Sequence, residues 1–76
     1  LVYATPPKGS YETAVDLFKK AMEINPIEIR HHYWLANTYK ALGYNDLAKN
    51  EFNIVVSLKP KDRKDQVMQI ESKKSL

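Results

Sequence analysis

A chain of 76 residues allows one small domain, and without cysteine it has no disulfide to staple a marginal core. Hydrophobic residues at 43% exclude a disordered chain, and two Gly with four Pro are too few turn residues for a sandwich or barrel. The net charge of +3 is unevenly placed: residues 1–58 balance, and the excess lies in residues 59–76, where six bases meet Asp62, Asp65 and Glu71. Such a tail suits an acidic partner.

In chain order, Leu1 to Tyr3 read as the cut end of a preceding helix, with Pro6-Pro7 ending it early. A first full helix is expected near residues 10–25. Its apolar residues Ala14, Leu17, Phe18, Ala21 and Met22 recur at three- and four-residue steps. Ser10 is the expected N-cap, with Glu12 in the first turn to complement the helix dipole. Asn25-Pro26 ends this helix, because the residue before proline is pushed out of the helical region. Pro26 then suits the first turn of the next helix.

That second helix is expected near residues 27–42, with Leu35, Ala36, Tyr39 and Leu42 buried and Gly43 as its stop. A third, near residues 45–58, carries Leu47, Ala48, Phe52, Val55 and Val56 and is closed by Pro60. A fourth, near residues 62–73, starts at an Asp62 N-cap. Its apolar content is only Val67, Met68 and Ile70, as expected of a charged helix that caps a stack.

An internal repeat organises these elements. Shifted by 34 residues, Gly9 falls on Gly43, Glu12 on Asp46, Ala14 on Ala48, Phe18 on Phe52, Ala21 on Val55, Ile24 on Leu58 and Pro26 on Pro60. These are the demanding positions: turn glycine, small contact residue, aromatic and terminating proline. The organisation expected is residues 1–26 as the second half of a repeat with a preceding linker, 27–60 as a full repeat, and 61–76 as capping helix and tail.

Trp34, Leu35, Ala36, Tyr39, Gly43, Ala48, Phe52 and Pro60 resemble the tetratricopeptide pattern. His32 stands where that pattern has a large apolar residue, and Val55 replaces its second alanine. The resemblance covers residues 29–62 and half of a preceding repeat. It implies an all-α antiparallel stack of helix-turn-helix units, an α-α superhelix of about one and a half repeats plus a cap. A second resemblance is narrower. The run Pro6-Pro7-Lys8-Gly9-Ser10-Tyr11-Glu12, followed by a helix and Asn25-Pro26, is similar to the C-terminal repeat region of the regulator of microtubule dynamics family. That resemblance implies association with microtubules and, for some members, organelle contacts and lipid binding.

Candidate chemistry is sparse. His31 and His32 are neighbours, and adjacent helical residues point about 100° apart, so they grip one metal poorly. Only Glu28 stands at helical ligand spacing, and two exposed helix residues are expected instead. No nucleophile elbow or phosphate-cradling glycine loop occurs. No enzymatic activity, metal or cofactor is expected. Acids and bases such as Asp16 with Lys19 and Lys20 read as solvated helix faces. The tail's three acids and lack of interleaved aromatics make nucleic acid an unfavoured partner, with membrane contact left open.

The expected function is protein or peptide binding in a groove lined by Arg30, Tyr33, Trp34, Asn37 and Lys40 of the second helix with Lys64 of the fourth. A carboxylate clamp of the kind some tetratricopeptide domains carry is incomplete, because Tyr33 and Met68 stand where bases are needed. The alternatives are structural self-association near Leu1, Val2, Tyr3, Leu17 and Phe18, giving a homo-oligomer, or lipid or microtubule contact through the basic tail. No apolar run approaches membrane-spanning length and no signal peptide is visible. The chain begins at Leu1 and reads as an excised domain; a cytoplasmic setting is the expectation.

Overall fold

The computed structural model describes residues 8–76. Among these the chain forms four helices and no strand: α1 (Lys8–Ile24), α2 (Ile29–Ala41), α3 (Asn45–Ser57) and α4 (Arg63–Lys74). The expectations placed on Leu1 to Pro7 lie outside the described residues. α2 packs most extensively on α3, α1 lies against α2, and α4 lies against both α3 and α2. The result is the helical stack expected, with extents of 32 × 26 × 20 Å.

The helix ends follow local chemistry. α1 begins at Lys8, so Ser10 lies inside its first turn and is not the N-cap, and no acid stands in that turn. The apolar period marks only the stretch that faces the core, so it does not fix where the helix starts. Pro26 lies in the turn after α1, not in α2, because Glu28 caps α2 instead: its carboxylate accepts from the Arg30 amide at 3.4 Å. At the other end of α2, Gly43 adopts φ +83°, a left-handed conformation that suits glycine. Its amide donates to Lys40 O at 3.0 Å, and the Tyr44 amide donates to Tyr39 O at 2.9 Å. These are the two bonds of a Schellman motif, and the Tyr39 and Tyr44 rings supply its apolar contact at 6.2 Å. Asp62 caps α4 as expected, accepting from the Asp65 amide at 2.9 Å.

The core gathers Phe18, Leu35, Ala36, Tyr39, Ala48 and Phe52, with Ala14, Val15, Met22, Tyr33 and Trp34 packed against it. Burying a ring such as Phe52, 2% exposed, contributes about 2–3 kcal/mol. Ala14 was expected to be buried and is half-buried, because only α2 covers its side of α1. Leu47 was expected in the α3 stripe and is 47% exposed. Ala48, Phe52 and Val55 define the buried line of that helix, and Leu47 sits about 100° off it. The same offset from Phe18 leaves Leu17 61% exposed. On α4, Val67 and Ile70 face solvent and Met68 is half-buried.

Candidate functional site

The expected groove residues divide by environment. Arg30, Lys40 and Lys64 are exposed, and among the described residues none of them forms an ion pair. Arg30 and Lys64 are equivalent positions under the 34-residue shift, so α2 and α4 each carry a base at that position of the repeat. Lys40 and Lys74 are likewise equivalent, and Lys74 reaches Glu71 at 3.5 Å. The aromatic members behave differently. The Tyr33 ring meets Trp34 edge-on at 5.2 Å and Phe52 at 6.4 Å, and both Tyr33 and Trp34 are half-buried against the core. They brace the helices more than they line an open groove. The Asn37 side-chain amide donates to Tyr33 O at 3.0 Å, so one of its donors is already engaged.

Lys40 also lines a recess of about 160 Å³ with Asn45, Ala48, Lys49, Phe52 and Ser75. Sequence reasoning missed Asn45 and Lys49. The Gly43 turn reverses the chain and sets the C-terminal turn of α2 beside the start of α3, so Lys40 and Lys49 line the same recess. Two lysines and an apolar floor of Ala48 and Phe52 suit a carboxylate-bearing segment.

Of the self-association residues, Leu17 is exposed, while Phe18 is 9% exposed and belongs to the core. Phe18 is therefore a packing residue and not part of an outer surface. Leu1, Val2 and Tyr3 lie outside the described residues.

The histidine pair departs from its expected exposure. His32 is buried. Its Nε2 lies 2.7 Å from the Pro26 carbonyl and its Nδ1 lies 2.7 Å from Glu51 Oε1. A carbonyl only accepts, so the Nε2–H donates to Pro26, which leaves Nδ1 turned toward the Glu51 carboxyl. Glu51 is on α3, nineteen residues further along, beyond the reach of any helical-spacing rule. His31 is half-buried.

A second polar cluster joins the starts of α2 and α4. Lys61 Nζ donates to Glu28 Oε1 and to Asp65 Oδ2, both at 3.0 Å, and the Lys61 amide donates to Asp65 Oδ2 at 2.9 Å. Glu28 and then Asp65, both accepting from the Lys61 ammonium, hold its pKa above the usual lysine value. Asp65 is 2% exposed. Burial alone pushes its carboxyl up, but the Lys61 amide and ammonium, helped by Arg30, outweigh it and hold the carboxyl below its usual range. Ser72 is fully buried, and its hydroxyl has no hydrogen-bond partner among the described residues.

Among the described residues no group of three or more His, Cys, Asp and Glu side chains could hold a metal, and no helix is long and apolar enough to cross a membrane. No curated protein and no solved structure matches the chain. A family model described as regulator of microtubule dynamics protein 1-3 matches residues 1–76. The match spans the proline pair, the Ser-Tyr-Glu run and the charged last helix together, and the chain belongs to the regulator of microtubule dynamics protein 1-3 family.

Proposed function

We propose that this chain is a protein-binding module that serves the microtubule-related role of its family by holding an acidic segment of a protein partner on the basic face of α2 and α4. It acts by binding, not catalysis, and in a cytoplasmic setting. The observation that carries the reading is the set of exposed bases, Arg30, Lys40 and Lys64, none of which forms an ion pair among the described residues. Lys61, by contrast, is held by Glu28 and Asp65. Exposed bases at equivalent positions of α2 and α4 are poised for charges supplied from outside. The Lys40–Lys49 recess adds a place for an apolar side chain beside a carboxylate.

Co-sedimentation with polymerised tubulin tests this. The chain is expected to pellet with microtubules, less so as salt rises. Arg30→Glu with Lys64→Glu is expected to weaken binding about tenfold or more without changing helicity. Failure of the unaltered chain to pellet overturns the reading, as does pelleting that the double charge reversal leaves unchanged.

A further inference from the structure

We infer that the outer flank of α1 is a docking surface for one more amphipathic helix, seated on α1 as α2 is seated on α3. The 34-residue shift places Ala14, Leu17, Ala21 and Ile24 on Ala48, Glu51, Val55 and Leu58. On α3 this flank is covered by α2: Ala48 is 3% exposed, Val55 is fully buried, and Glu51 reaches His32. On α1 the same flank is open. Leu17 is 61% exposed and Ile24 86%, with Ala14 and Ala21 half-buried between them and the core. The open flank is continuous with the established α1–α2 interface, because Ala14 packs against the core cluster itself. Two alanines alternating with two large apolar residues leave room for a close helix approach.

The other end of the stack is different. The α2 residues Ile29, His32, Leu35, Ala36 and Tyr39 correspond on α4 to Arg63, Gln66, Gln69, Ile70 and Lys73. Four of those five are polar, and Gln69 is spent on capping α3, donating to Val55 O at 3.0 Å and Leu58 O at 2.6 Å. α4 offers mostly polar residues at the positions through which α2 packs, whereas α1 leaves Leu17 and Ile24 open, so an added helix goes to α1.

The comparison also specifies the occupant. Leu17 stands where α3 has Glu51, the partner of His32. The helix that fits α1 therefore resembles α2 but carries an apolar residue in place of its histidine. A carboxylate buried without a cationic or proton-donating partner is costly, so the identity of residue 17 selects between the two kinds of helix.

The probe is a labelled peptide of residues 28–44 carrying His32→Leu, titrated into the full chain by fluorescence anisotropy. Binding is expected. Leu17→Glu in the chain is expected to weaken it about tenfold or more and to reverse the preference toward the unaltered peptide with His32. Ile24→Glu, at a still more exposed position, serves as the second variant and is expected to weaken both peptides. Circular dichroism checks that each variant keeps its helicity. Binding that neither variant alters would mean that the peptide displaces α2 from α3, and overturns the proposal. Concentration-dependent dimerisation abolished by Leu17→Glu, with no peptide binding, assigns the face to a second copy and also overturns it.

Discussion

His32 Nδ1 on α2 lies 2.7 Å from Glu51 Oε1 on α3, and the other nitrogen of the same imidazole lies 2.7 Å from the Pro26 carbonyl. One side chain thus ties the α1–α2 turn to the third helix. His32→Leu is expected to destabilise the chain by about 1–3 kcal/mol, because it leaves a largely buried carboxyl without its partner. The double variant His32→Leu with Glu51→Leu is expected to recover most of that loss, since replacing both partners by apolar groups is often close to neutral. Urea denaturation of the single and double variants decides it. Strictly additive losses would show that the two side chains act independently.

The Lys61–Asp65 contacts have a direction in pH. The folded-state pKa of Asp65 is depressed, so its contribution to stability is fully present above the ordinary carboxylate range and is lost as pH falls through the depressed value. Lys61 is raised, so its contribution is present below the usual lysine value and lost as pH rises through the raised one. Asp65→Asn is expected to lower neutral-pH stability and to flatten the loss of stability on acidification. Denaturant midpoints taken across the acid range measure both. Lys61 is half exposed, so Lys61→Met is expected to give the smaller effect at neutral pH.

Ser72 is fully buried on α4, with no partner for its hydroxyl among the described residues. A buried hydroxyl without a hydrogen bond costs free energy that alanine does not. Ser72→Ala is therefore expected to raise stability by about 1 kcal/mol, read as an increase in Tm. Ser72→Val, which adds volume where the helix sits close, is expected to lower it. A clear loss of stability in the alanine variant would reveal a hydrogen bond to that hydroxyl.

Sequence alone determined the helix count, the Gly43 stop, the Asp62 cap and most of the core, because each rests on local rules. A period near 3.6 places Phe18, Leu35, Ala36, Tyr39, Ala48 and Phe52 on inward faces, and the cap residues act within a few positions of themselves. The 34-residue repeat carried the stack architecture for the same reason: one unit predicts the packing of the next. The exposed bases of the candidate site were legible too, because a charge on a helix face opposite its apolar stripe meets water whatever the neighbours are.

Only the tertiary structure decided which polar residues are spent inside the fold. His32 read as exposed because Glu51 and the Pro26 carbonyl converge on it only when three chain segments meet. Lys61 stands at the local i, i+4 spacing from Asp65, but Glu28 joins the pair only across thirty-three residues, so the cluster as a whole is not legible from spacing. Tyr33 and Trp34 turned from groove walls into braces for a related reason: α3 brings Phe52 against them. Leu47 and Leu17 show the converse. Periodicity groups them with the core, but α1 and α3, unlike the central α2, each bury a narrow stripe, and a neighbour one residue away points too far round the axis to reach it.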